Sequence, residues 1–208
     1  LIGSSVLPAA LARKELAAFE RVAVIVSSRV YGLHRDYLDG SLSVLGDRMA
    51  LIRYDDSEEN KSYGRAGEVL EKFIAAGMNR KSAVIGIGGG VTGDFAGFCA
   101  GVYMRGVPVV HVPTTLLAMV DSSLGGKVAV NLSVGKNIVG LFHQPRMVVS
   151  DVRFLETLPD GEFRNGLSEA LKHALIGEPS TMGILERNDP ASIRNESVAA
   201  DLVAHSVL

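Results

Sequence analysis

Short apolar runs punctuate the first 150 residues, and each gives way to a polar or helically spaced stretch. Residues 21–27 (RVAVIVS), 49–54, 82–87 and 107–112 are hydrophobic with little alternation. Such runs predict strands covered on both faces, the condition found inside a parallel sheet. Between them the period changes. Residues 8–19 read as helix, a loop-helix stretch runs to about Leu38, and Ala66, Val69, Leu70, Phe73 and Ile74 give residues 63–76 one apolar helical face. Strands separated by helices imply βαβ units with right-handed crossovers, an α/β fold built on a parallel sheet.

The pattern changes after Asp151. From Pro159 onward the spacing predicts helix almost continuously, interrupted at Glu178-Pro179-Ser180. The helix over 160–176 carries Phe163, Leu167, Ala170, Leu171, Ala174 and Leu175 on one face, with Glu162, Asn165, Glu169, Lys172 and His173 opposite. A domain boundary is therefore expected near Asp151, with an α/β domain over 1–151 and the beginning of a helical one over 152–208. Residues 200–208 read as helix without a closing glycine, and the chain starts without methionine, so a piece of a longer chain is the expectation.

Composition narrows the class. Of 208 residues 23 are glycine and only 6% are aromatic, which favours tight strand-to-helix turns over an antiparallel sandwich. Twenty-one Lys and Arg against 23 Asp and Glu leave a net charge of −2, which argues against a nucleic-acid partner. The single cysteine, Cys99, forms no intrachain disulfide, sits among small helical residues as a packed core thiol, and fits a reducing, cytoplasmic compartment. No apolar run approaches the roughly 20 residues of a membrane span.

Candidate chemistry concentrates in three places. Gly88-Gly89-Gly90 follows a buried run and opens a helix, with small residues at Gly93, Ala96/Gly97 and Ala100/Gly101. Such a turn lets a phosphate reach the backbone N–H groups and the positive end of the helix. It equally serves as a tight turn with close helix–sheet packing, and the spacing leaves both readings open. Residues 113–137 begin where a parallel strand ends and hold Thr114, Thr115, Asp121, Lys127, Lys136 and Asn137 on glycine-framed loops. Two ammonium groups and an amide suit a multiply oxygenated anion, such as a phosphate or carboxylate. Glu169, Lys172 and His173 share one helical face at i, i+3 and i+4. They could hold a divalent metal beside an anion, or form an ordinary solvated ion pair. His34, His111, His143 and His205 show no ligand spacing with Glu169.

Read together, these segments resemble the 3-dehydroquinate synthase family. The match runs through residues 88–94 (GGGVTGD), 97–106 (GF-A----RG), 113–127 (PTTLLAMVDSSLGGK), 135–140 (GKNIVG) and 154–176 (FLETLPDGEF--GLSEALKHALI), close to half the chain. Glu58-x-x-Lys61 matches a GExxK loop of the family with Ser57 in place of glycine, and Ser28 stands where the family often has Asp. The resemblance implies a Rossmann-like N-terminal domain, a helical metal-binding C-terminal domain, and a homodimer for the full-length protein. It implies bound NAD contacted by Glu58, Lys61, Gly89, Gly90, Val91, Asp94, Thr114, Thr115, Thr157 and Leu158. Asp121, Lys127, Lys136 and Asn137 would line the junction of cofactor and substrate. Lys172 would bind substrate, and Arg105 would reach its phosphate from a neighbouring subunit. Glu169 would be one ligand of a zinc or cobalt ion whose other ligands are two histidines beyond Leu208; His173 is no ligand in that family. The implied substrate is the small-molecule sugar phosphate 3-deoxy-D-arabino-heptulosonate 7-phosphate, converted to 3-dehydroquinate and phosphate in the shikimate route to aromatic amino acids. This is a phosphate-eliminating lyase reaction that regenerates its NAD, and the 208-residue chain alone is expected to be inactive. Other sugar phosphate cyclases, of the 2-deoxy-scyllo-inosose or 2-epi-5-epi-valiolone type, share most of these motifs. A glycerol-dehydrogenase-like enzyme fits the 121–137 cluster less well, and a non-catalytic NAD-binding module stays open.

Overall fold

The four apolar runs become neighbouring strands of a five-stranded parallel sheet. The computed structural model describes residues 1–177 and 179–207. The chain begins with β1 (Ile2–Gly3), α1 (Leu7–Leu11) and α2 (Lys14–Ala17), followed by β2 (Val22–Ser27), α3 (Ser28–Leu33), α4 (Arg35–Leu42) and β3 (Met49–Tyr54). Next come α5 (Tyr63–Ala75), β4 (Ala83–Gly88), α6 (Gly90–Val102), β5 (Val109–Pro113), β6 (Lys127–Leu132), β7 (Gly135–Phe142), β8 (Met147–Val148) and β9 (Ser150–Asp151). Among the described residues, four α-helices follow: α7 (Asp160–Ile176), α8 (Pro179–Arg187), α9 (Pro190–Ile193) and α10 (Glu196–Ser206).

The sheet order is β3-β2-β4-β5-β8, and β2, β4 and β5 are buried along their whole length. Alternation along β2 splits the core in two. Val22, Val24 and Val26 face α1, α4, α7 and α10, while Ala23 and Ile25 face α5, α6 and the β6–β7 hairpin. Each fully buried aliphatic side chain contributes roughly 2 kcal/mol. The first of these cores continues past Asp151 through Phe163, Ala170, Ile193, Leu202 and Val203. Asp151 is itself fully buried and ties the chain's start to this junction. Its carboxylate accepts from the Ser5 and Leu7 amides at 2.8 and 3.0 Å and from the Tyr37 hydroxyl at 2.5 Å.

Four expectations need correction or completion. The helix expected over 8–19 is two helices, with extended backbone at Arg13. Leu7 and Leu16 are nine residues apart, about 180° around one continuous helix; the break lets both enter the core. The stretch expected as loops around Lys127, Lys136 and Asn137 is an antiparallel hairpin of β6 and β7. Its glycines resemble loop punctuation, but Val128 and Val130 alternate inward as strand residues do. The apolar face of α7 is narrower than its sequence suggests: Phe163, Gly166, Ala170 and Ala174 are buried, while Leu171, Leu175 and Ile176 are exposed. Gly166 sets this rotation, because a Cβ there would lie 2.5 Å from Leu116 Cβ. The interruption expected at Glu178-Pro179-Ser180 is shorter: α7 closes at Gly177 and α8 already begins at Pro179, while Glu178 lies outside the described residues, as does Leu208 at the end of the last predicted helix. Among the described residues, no helix is long and apolar enough to cross a membrane.

Candidate functional site

The site begins where β4 hands the chain to α6. Gly89 caps α6 without any side-chain oxygen, so the first N–H groups of the helix stay available to a ligand. Close approach explains the glycines. A Cβ on Gly89 would lie 3.1 Å from Thr115 Cγ2, and one on Gly88 would overlap Thr92. The small-residue stripe of α6 goes to packing, not to a ligand: a Cβ on Gly86 would lie 2.7 Å from Ala96, and one on Gly101 would lie 2.5 Å from Leu141 on the hairpin. Cys99 is buried in this layer, and burial pushes its thiol well above the usual range.

A cavity of about 430 Å³ opens at this turn. Gly89, Gly90, Val91, Thr114, Thr115, Thr157 and Leu158 all line it. Thr115 Oγ1 accepts from the Ala118 amide at 3.1 Å and so caps the next turn. Thr114 Oγ1 is buried without a hydrogen-bond partner among the described residues. An orphaned hydroxyl beside uncapped helix N–H groups fits a polar anionic ligand such as a pyrophosphate. Arg29, His34 and Asp56 line the same cavity and were not identified from the sequence, because lone polar residues after a strand carry no pattern. His34 Nε2 lies 2.7 Å from Thr157 Oγ1, and burial, then Arg153, lowers its pKa.

A second crevice, of about 790 Å³, is lined by Asp94, Asp121, Lys127, Asn137 and His173. A smaller recess lined by Gly89, Gly90 and Ser122 lies between elements of the two cavities. Lys61 organises the wall. Its side chain is 5% exposed, and Nζ donates to Asp94 and, at 2.7 Å, to Asn137 Oδ1. Burial raises the Asp94 carboxyl, and the Lys61 ammonium opposes that rise. Asn137 takes a left-handed backbone, φ +56°, which Asn tolerates better than most residues. Asn131, also absent from the sequence reading, is the clasp: its amide donates to Glu58 Oε1 at 2.8 Å and its oxygen accepts from the Asn137 amide at 2.8 Å.

The polar face expected on α7 forms. Lys172 donates to Glu169 Oε1, and His173 Nε2 lies 3.2 Å from the same oxygen. Glu169 raises the Lys172 pKa through that hydrogen bond. Asp121, in a π-helical turn over Ala118–Ser122, brings its carboxylate to this face.

Not every expected residue converges. Lys127 and Asn137 line the crevice, whereas the neighbouring Lys136 turns to the other side of the hairpin. There Lys136 is 72% exposed, with Nζ 3.9 Å from Glu58 Oε1. The left-handed backbone at Asn137 accompanies this divergence of two adjacent residues. Arg105 is exposed beyond the C-terminal end of α6, roughly 20 Å of helix from the glycine turn.

A family profile described as 3-dehydroquinate synthase N-terminal matches residues 51–165. The 3-dehydroquinate synthase of Pelotomaculum thermopropionicum is 44% identical over 179 residues, 86% of this chain and 48% of that protein. The chain spans about half the length of the curated relatives it matches. Among solved structures, 2-epi-5-epi-valiolone synthase from Streptomyces hygroscopicus, with NAD+ and Zn2+ bound, superposes with a TM-score of 0.86 at 29% identity, covering 100% of this chain and 58% of that one. A 2-deoxy-scyllo-inosose synthase complexed with carbaglucose-6-phosphate, NAD+ and Co2+ gives 0.78 at 31% identity over 98% of this chain and 59% of that one.

Proposed function

The chain belongs to the 3-dehydroquinate synthase family, and from that premise we propose that it forms the NAD-holding part of a cyclase that converts 3-deoxy-D-arabino-heptulosonate 7-phosphate to 3-dehydroquinate and phosphate. One observation carries the reading. The uncapped start of α6, with Gly89 and Gly90, shares a cavity with Thr114, Thr115, Thr157 and Leu158, next to a crevice lined by Asp94, Asp121, Lys127 and Asn137.

In this reading the α6 N-terminus takes the cofactor pyrophosphate through backbone N–H groups, and Thr114 Oγ1 gains the partner it lacks. Lys61 carries only donors, so the Asn137 atom facing it must be the amide oxygen. The Asn137 NH2 is thereby left to donate to a hydroxyl or carboxylate in the crevice. Lys127 supplies a positive charge there without a large basic surface, consistent with the net charge of −2. Bound NAD and a divalent metal would supply reversible hydride transfer and Lewis-acid polarisation of a substrate hydroxyl. Residues 1–151 serve as the nucleotide unit and 152–208 as the first part of the metal-holding helices, with Lys172 on the substrate side. Arg105 lies too far from the turn to serve its own chain's site, which supports a neighbouring subunit in a homodimer as its place of action.

Calorimetric titration of the chain with NAD tests the core of this reading. One NAD per chain is expected, with affinity reduced at least 100-fold by Gly89→Val; equal binding by the variant would refute it. A second reading, another sugar phosphate cyclase, draws support from the structural neighbours at 29–31% identity. The 44% identity to 3-dehydroquinate synthase favours the first. Product analysis with the full-length protein separates them: 3-dehydroquinate supports the first reading and a cyclitol the second.

A further inference from the structure

We propose that His111, Ser122 and Ser123 hold one ordered water in the small recess beneath the glycine turn, and that this water fastens the Asp121-bearing turn to the sheet. The site is separate from the nucleotide cavity and from the crevice, and it depends on neither a cofactor nor a metal.

Three buried polar atoms carry the assignment. His111 Nδ1, Ser122 Oγ and Ser123 Oγ have no hydrogen-bond partner among the described residues. His111 and Ser123 are only 4% and 6% exposed. All three residues line the same recess. Folded proteins pair nearly all such atoms, with protein groups or with ordered water, because an unpaired one keeps its full desolvation cost.

Glycines make the room. His111 Nδ1 lies 3.7 Å from where a Cβ on Gly86 would stand and 3.9 Å from one on Gly93, so the ring nitrogen faces the space those missing side chains leave. Ser122 Oγ lies 3.1 Å from the corresponding point on Gly90. The recess has a volume of about 10 Å³, close to the least that holds one water and far too small for a nucleotide group.

The chemistry selects water over an ion. Among the described residues that line the recess there is no carboxylate, lysine or arginine. A buried ion would therefore lack a counter-charge. Burial, with a minor contribution from His143, lowers the His111 pKa to about 4, so the ring is neutral at pH 7. Its Nδ1 donates or accepts according to the tautomer, and a serine hydroxyl can do either. Water offers two donors and two acceptors and satisfies all three atoms in both tautomers.

The consequence is mechanical. Ser122 ends the π-helical turn Ala118–Ser122, and the Ser123 amide closes it by donating to the Ala118 carbonyl at 3.1 Å. Asp121 sits one residue earlier and lines the crevice. His111 belongs to β5, which is buried along its length. A water shared by these three side chains joins the turn to the interior of the sheet.

A crystal structure of the protein tests the site directly. One water is expected within hydrogen-bond distance of His111 Nδ1 and of both serine hydroxyls. A recess without it, or serines bonded to backbone carbonyls instead, would overturn the proposal whether or not any variant folds. Hydrogen exchange tests the fastening. In Ser123→Ala the amides at positions 123 and 124 should exchange roughly 5-fold faster, while those of β4 and β5 keep their protection. Unchanged exchange at those two positions, or equal acceleration throughout the sheet, overturns the fastening role.

Discussion

The two cavities are made differently. The one at the β4–α6 turn is shaped by backbone: glycines sit where a Cβ would meet Thr92, Thr115 or Ser122, and the ligand-facing groups are helix N–H. The neighbouring crevice is shaped by charged and amide side chains on a hairpin and on α7, held by ion pairs and hydrogen bonds. The first should be rigid and intolerant of any added atom. The second should tolerate change everywhere except at its one buried charge, because exposed ion pairs contribute little.

Lys61 is that charge, and its loss should have the largest effect. Lys61→Met leaves Asp94 without its cation and should cost roughly 3–5 kcal/mol at neutral pH by urea unfolding. Part of that loss should be recovered as pH falls and Asp94 becomes protonated. A variant as stable as wild type at pH 7 would show that the crevice wall does not depend on this pair. Next comes Gly97→Val, which tests how closely α6 packs on the hairpin beside the crevice. A Cβ there already overlaps Val128, and the added bulk should cost about 3 kcal/mol and loosen the hairpin from α6. Protection of the β6 and β7 amides from hydrogen exchange should fall with it.

The pH dependence of the same layer is a smaller effect. His111 is 4% exposed beneath Gly86, Gly93 and Gly97, and burial, with a minor contribution from His143, lowers its pKa from 6.5 to about 4. Between those values the unfolded chain takes up a proton that the folded chain refuses, so stability falls as pH drops through that window. The His111 contribution should be about 2 kcal/mol between pH 7 and pH 5. His111→Asn should flatten the profile by that amount, and an unchanged slope would refute the assignment. Lys136→Ala should change stability least, by under about 0.5 kcal/mol, because its ion pair is long and solvated. A larger loss would mean that the crevice and the outer face of the hairpin are coupled.

The backbone-built cavity was the more legible of the two. Buried runs and the glycines after them are local patterns, and Gly89, Gly90, Thr114 and Thr115 meet where a parallel strand's end predicts a ligand. The side-chain-built crevice was legible only in part. Lys127 and Lys136 look equivalent along the chain, yet pairing of β6 with β7 sends one into the crevice and the other to the far face. Asn131 gave no signal at all, since a clasp between a loop and a hairpin exists only once both are folded.

Local hydrophobic period and residue chemistry were enough to set the α/β class, the glycine turn, the span of α7 and the shared face of Glu169, Lys172 and His173, because each depends on neighbours within a few residues. Tertiary structure alone decided that Lys61 joins Asp94 to Asn137, that Asp121 meets Glu169 and His173, and that Leu171 and Leu175 face outward. Those outcomes depend on contacts between segments up to 76 residues apart, and on where a missing Cβ lets one element approach another.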